Sequence, residues 1–396
     1  MRKLYLIFGT IVIIKQIFTF KMPIFSASIG GYNLDVLLFF SFIGISLFIF
    51  VFDCLMSRKV RPRDIGLLLY VLFSALGTIV NWTNTNAFLT DASLFLMPIA
   101  VYVWVQKTNI KPATYVKILA VASVGAAIVS ILVSIGVMDV GIWAADGDLV
   151  RVAGVVNSTF GVCGMIVASV LIFNSNKTEH GVNLLLLYVT LICGFIIVFL
   201  SFSRTRWVLC AGIFFLIFLS SFGKKAKQNN FGALRIICFV IIALFVMAFF
   251  APEFFGKLFE QMLERFDNIS SGDDSILYRG EEAGRQFDLF LTNPVFGVGW
   301  GKLTSNDIYV HAVYPGLLAQ SGLFALCYLA WYFSPLLFVL QYRKIRGNSA
   351  YVQTSLLLQF SLFILNFTNA GFVVSGGYFM LAGVFIIEQS LLREKG

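Results

Sequence analysis

The 396-residue chain is 59% hydrophobic and only 12% charged, about half the charged share of an ordinary soluble domain, and its apolar residues lie in long runs such as 182–202 with no charged side chain. Runs of that length cross about 30 Å of hydrocarbon at about 1.5 Å per residue, which excludes a soluble fold, and they lack the alternating pattern of a strand barrel. The net charge of +9 comes from basic residues spaced between the apolar runs, where they set orientation, so no nucleic-acid partner is expected.

The elements predicted in chain order form an all-α membrane bundle of about twelve spanning helices. They lie near residues 4–20, 36–52, 65–80, 87–105, 118–138, 155–173, 182–202, 207–222, 236–250, 317–340, 352–367 and 373–387. Met1-Arg2-Lys3 and the apolar run behind it resemble a signal peptide with a cleavage site at Ser26-Ala27-Ser28; a retained first span is the preferred expectation, because no soluble domain follows. Alternate connections carry 19 of the 29 Lys and Arg residues, which predicts a multi-pass protein with cytoplasmic termini. The six cysteines fall in or beside apolar runs and no disulfide is expected. With two histidines and no Cys-x-x-Cys pair, no metal site and no cofactor are expected.

The chain reads as one membrane domain, 1–396, with one large outward connection, 251–316, between the ninth and tenth spans. Inside it, residues 255–266 place Phe255, Leu258, Met262 and Phe266 at helical spacing, the pattern of an amphipathic helix on the membrane surface. A second helix is predicted over 275–291, ending ahead of Asn293-Pro294, as a proline requires of the residues before it. The turn Gly297-Val298-Gly299-Trp300-Gly301 follows. No internal repeat supports an inverted-repeat transporter.

Several residues on the outward side bear chemistry. Arg204 and Arg206 oppose the general charge bias; each either snorkels to lipid headgroups or grips a phosphate or diphosphate with its planar fork. Arg279 and Arg285 share the second outer helix with Glu281 and Glu282, as intrahelical charge pairs or as a substrate-binding set. His311 stands where the chain re-enters the membrane, as a structural residue or a base. Asp91 lies inside the fourth span, where a carboxylate is costly and is expected to face the interior, against Lys15 or Arg235. Trp82, Asn84, Asn86 and the segment 143–151 are outward polar or aromatic groups, read as turns and interfacial anchors before sugar contacts.

Taken in order, Ser201-Phe202-Ser203-Arg204, Arg279 with the Asn293–Gly301 segment, and His311 leading to Ala319-Gln320-Ser321-Gly322-Leu323-Phe324 resemble the O-antigen ligase and O-antigen polymerase superfamily over residues 195–335. The resemblance implies a membrane-embedded, GT-C-like glycosyltransferase of the bacterial inner membrane, working at the periplasmic face. Its donor and acceptor are undecaprenyl-diphosphate-linked glycans, and a chain-length regulator is an implied partner alongside the lipid bilayer. It assigns functional roles to Arg204, Arg279 and His311, read here as catalytic; Arg206, Arg285, Glu281 and Glu282 are expected around the substrate, and no metal is expected because arginines can hold the charge of the leaving diphosphate. The family pattern often has Asn after the histidine and Glu in the following helix, where this chain has Ala312 and Gln320. Polymerase is preferred over ligase because polymerases are the more divergent branch; a lipid-linked sugar transporter and a structural or signalling membrane protein are the readings from other classes.

Overall fold

The computed structural model describes residues 2–18, 28–29, 32–56, 60–138, 145–146, 149–150, 156–174, 182–201, 203–221, 256, 260, 263, 274–308, 310, 313–346, 349–368 and 375–393. Among these, the only paired strands are two short antiparallel hairpins, Ser28–Ile29 with Tyr32–Asn33 and Ala145–Asp146 with Leu149–Val150. The helices, joined by turns and loops, begin with α1 (Arg2–Lys15), α2 (Leu34–Met56), α3 (Pro62–Val80), α4 (Thr85–Thr108), α5 (Pro112–Ser134), α6 (Ser158–Phe173), α7 (Leu184–Phe199) and α8 (Arg204–Ser221). After the ninth predicted span come α9 (Asp274–Thr292), α10 (Lys302–Ser305), α11 (Val313–Ser321), a 3₁₀ turn (Gly322–Phe324), α12 (Ala325–Arg346), α13 (Ala350–Thr368) and α14 (Ser375–Arg393).

The starts of these helices follow from local chemistry. Pro62 and Pro112 open α3 and α5, where a preset φ helps and the missing N–H is no loss. Asn84, Asn157 and Asn183 precede α4, α6 and α7, each side chain accepting a first-turn backbone N–H that no carbonyl of the helix reaches. Asn109 ends α4 with φ +60, a left-handed conformation that Asn tolerates.

Helices α2, α3, α4, α5, the run Val313–Arg343 and Ala350–Phe367 are long and apolar enough to cross a membrane, while Ser158–Phe173, Leu184–Phe199 and Thr205–Ile217 are shorter apolar helices. Phe48, Leu55, Leu76, Val121, Leu185 and Leu337 stand more than half exposed on the outer faces; such apolar surface fits lipid rather than water. The chain is an all-α polytopic membrane protein. The predicted ninth span, 236–250, lies outside the described residues, as does nearly all of the amphipathic segment 255–266. The tenth span departs from expectation: it is not one helix over 317–340 but α11 and α12 joined by the 3₁₀ turn. Gly322 sits there at φ +57, and Leu323 donates its N–H to the Pro294 carbonyl at 2.9 Å, so a tertiary contact with the preceding loop breaks the helix.

Helix α6 is buried along its whole length and packs against α7, α13 and α14. It meets α7 at Gly161 and Gly194: a Cβ on either would come within 2.9 Å of the other's carbonyl oxygen, the close approach that small residues permit between membrane helices. Gly194→Leu is expected to destabilise the protein by about 1–3 kcal/mol through overpacking, seen as a lower unfolding midpoint in detergent; an unchanged midpoint would refute this packing.

The two ends of the bundle differ. At one, Arg2 donates to the Thr108 carbonyl at 2.7 and 2.9 Å, Gln389 donates to the Gln106 carbonyl, and Arg63 pairs with Glu388 and hydrogen-bonds Ser334. The start of α1 and the end of α14 therefore meet at the C-terminal end of α4, together with Arg61, Lys107 and Lys111. The opposite end receives the segment between α9 and α11.

Candidate functional site

Helix α9 spans 274–292, within a residue of its prediction at each end, and packs chiefly on α11. Glu282 and Gln286, one turn apart, are fully buried, and Leu289 joins an apolar cluster with Leu303, Ile308 and Ala319. Glu281, Arg285, Phe287 and Leu291 point away and are exposed. Gly316 lets α11 come close to α9; a Cβ there would stand 3.5 Å from Gln286 Oε1. The face that α9 turns to the bundle is therefore polar at its start and apolar at its end, which fixes its rotation and puts Arg279, half-buried, one turn ahead of Glu282.

The charged residues on α9 divide by environment. Arg285 Nη1 donates to Glu282 Oε1 at 2.8 Å and Nη2 to the Asn306 carbonyl at 3.1 Å. That fork holds α9 to the end of α10 and supplies the buried Glu282 carboxylate with a counter-charge. Glu281 is left exposed.

The glycine-rich turn fastens this unit to the spanning helices. Gly297, Gly299 and Gly301 have φ of +71, +78 and +99, a region that costs other residues strain. A Cβ on Gly297 would lie 2.3 Å from the Gln320 carbonyl carbon, and one on Gly299 2.2 Å from the Thr78 nitrogen. The turn thus runs in backbone contact with α11 on one side and α3 on the other. Val298 and Gly299 donate to the carbonyls of Ala319 and Gln320, and Trp300 N–H donates to Thr78 Oγ1 at 2.7 Å.

Asp91 completes the attachment, and not through Lys15. Lys15 pairs with Asp35 at 2.8 Å instead, and Arg235 is outside the described residues. The Asp91 carboxylate accepts the backbone N–H of Gly301 at 2.8 Å and both the N–H and hydroxyl of Thr304. It caps α10 from another helix, satisfying first-turn donors that would otherwise lack partners.

Arg204 and Arg206 lie on α8 rather than α9. Arg204 opens the helix, its side chain outside the described part. Arg206 donates from Nη1 to Ser203 Oγ at 2.8 Å and from Nε to Thr159 Oγ1 at 3.2 Å, joining the first turns of α8 and α6. His311 falls outside the described residues, directly before α11. Asn84 is the cap of α4 and Trp82 packs on Phe88, as turn and interfacial roles require, and Asn86 passes its carbonyl to Thr90.

The sequence reading singled out neither Thr78 nor Gln286, and treated Gln320 only as a departure from a pattern. Gln320 is completely buried with both amide atoms unpartnered, in the helix against which α9 packs. The available signal was the four-residue spacing of Glu282 and Gln286, which puts two long polar side chains on one helix face. The guanidinium of Arg279, on the helix that carries the buried Glu282 and Gln286, is of the chemical kind that binds a phosphate or diphosphate.

Residues 189–330, from within α7 into the first turns of α12, match the family model described as O-antigen ligase. No curated protein matches the chain. The matched segment contains α8, α9, the glycine turn, α11 and position 311. Members of this family are glycosyltransferase-like enzymes. Over that segment the chain is similar to the O-antigen ligase and polymerase superfamily.

Proposed function

We propose that the protein is an O-antigen polymerase of the bacterial inner membrane, joining undecaprenyl-diphosphate-linked repeat units at the periplasmic face. The observation that carries this reading is that the family segment holds Arg204, Arg279 and position 311 together, with the Arg279 helix docked at the bundle end opposite the basic residues and the described ends of the chain. By the charge bias that basic end is cytoplasmic, which makes 251–316 the periplasmic connection.

In the proposed reaction a hydroxyl of the acceptor repeat unit attacks the anomeric carbon of the donor glycan. A new glycosidic bond forms as the bond to the carrier diphosphate breaks, and undecaprenyl diphosphate departs with the electron pair. Arg279 and Arg204 stabilise the charge developing on that leaving group, with Arg206 and Arg285 beside them. His311 takes the hydroxyl proton. Of the reserve bases, Glu281 is better placed than Glu282, whose carboxylate Arg285 already holds. A chain-length regulator is the expected protein partner.

Ala312 and Gln320, departures from the family pattern, leave both branches open, and polymerase is preferred by analogy because polymerases are the more divergent branch. The description of the matched family favours a second reading, ligation of the same donor to lipid A core. A deletion strain separates them: loss of a polymerase leaves lipopolysaccharide capped with one repeat, loss of a ligase leaves bare core. Purified protein given a synthetic carrier-linked repeat unit is expected to yield a ladder of longer products; unextended substrate would leave binding or transport.

A further inference from the structure

A cavity of about 310 Å³ opens at the other end of the bundle, between the end of α2, the start of α3 and the end of α4. Helix α3 separates it from the glycine turn by roughly 28 Å, its 19 residues at about 1.5 Å each, so it belongs to neither the glycan site nor its supports. Its volume is at the small end of ligand pockets, enough for a headgroup rather than an oligosaccharide.

Both signs of charge line it. Asp53 and Lys107 form an ion pair at 2.7 Å on the rim, each about half exposed. Arg61 lines the wall at the cap of α3. Asp64 accepts a hydrogen bond from Tyr102 at 2.7 Å; its neighbour Arg63 is committed to Glu388 and reaches Asp64 only at 4.0 Å. Gln106, also in the lining, has a buried amide nitrogen without a partner. Among the described lining residues a simple anion would meet two carboxylates and a simple cation two bases. A zwitterion matches both. The cavity lies where spanning helices end, and Phe52, Leu55 and Met56 beside it on α2 are exposed apolar groups, placed for acyl chains.

We propose that this cavity seats the headgroup of a phospholipid bearing a primary amine, of the phosphatidylethanolamine type. Its phosphate lies toward Arg61, Lys107 and the Gln106 amide, and its ammonium donates to Asp64. The bound lipid bridges α2, α3 and α4 at the end of the bundle remote from the proposed chemistry.

Native mass spectrometry of the full chain, offered equal amounts of phosphatidylethanolamine, phosphatidylcholine and phosphatidylglycerol, tests this. The ethanolamine lipid is expected to be retained roughly tenfold over the other two, the ratio of one charge-assisted hydrogen bond. Asp64→Asn removes the ammonium acceptor and is expected to erase that preference. Val60→Trp fills the cavity without altering a charge and is expected to lower retention of the ethanolamine lipid while the unfolding midpoint stays within a few degrees. Equal retention of the three lipids by the unmodified protein overturns the proposal, as does an undiminished preference in Val60→Trp.

Discussion

Arg279→Ala is expected to abolish polymer longer than one repeat unit while the protein remains inserted at normal abundance. Departure of a diphosphate concentrates negative charge on oxygens that water would solvate, and at a membrane surface a fixed guanidinium replaces that solvation without reorganising. Deleting one such donor typically costs about 10² to 10³ in rate, enough to erase a ladder that needs many successive transfers. The docking of α9 does not depend on this side chain alone. Glu282, Gln286 and Leu289 form the face packed on the bundle, and Arg285 ties the helix to the Asn306 carbonyl. Arg279→Lys keeps the charge but not the planar two-toothed donor, and is expected to give short chains. A chain-length gel with an immunoblot of the membrane fraction measures both properties; full-length ladders from the alanine variant would remove Arg279 from the chemistry.

How much of this was legible beforehand depended on whether the cause was local. The end of α9 was set by Asn293-Pro294, adjacent in the chain, and was predicted within a residue; Pro62 and Pro112, which open α3 and α5, are equally local signals, but starts read from hydropathy alone fell later, at 65 and 118. The break at Gly322 is caused by carbonyls at Pro294 and Val295, almost thirty positions earlier, and periodicity cannot register that. Asp91 shows the same limit. Its burial cost was visible, but a cation was the expected relief, whereas the actual donors are two N–H groups and a hydroxyl more than two hundred positions away. In the site, spacing placed Arg279 and Arg285 on one helix. It also offered the intrahelical pairing that Arg285 makes with Glu282, but did not reveal that Arg285 would reach the Asn306 carbonyl or Arg206 reach Thr159 on α6.

Gly299→Ala is expected to have the largest effect of any one-methyl change in the outer half of the protein. The added carbon would stand 2.2 Å from the Thr78 nitrogen and 2.4 Å from the Gly77 carbonyl carbon, both backbone atoms of a spanning helix that cannot swing aside. The residue also holds φ +78, which costs a non-glycine residue about 1–2 kcal/mol before any overlap. The turn has to lift off α3 to relieve the overlap, which separates Trp300 N–H from Thr78 and Gly301 N–H from Asp91. Buried groups left so cost about 1–3 kcal/mol each, and the total is on the order of 4 kcal/mol. Because the turn joins the Arg279 helix to the bundle, polymer formation is expected to disappear along with the local stability. Gly280→Ala is the matching control: it lies in α9 with nothing within 4 Å of the added carbon, and in a helix interior the change favours folding by up to about 1 kcal/mol. Unfolding midpoints and product ladders of the two variants, measured side by side, decide the matter. A Gly299→Ala protein that melts and polymerises like its Gly280→Ala counterpart would show that the turn does not hold the site in place.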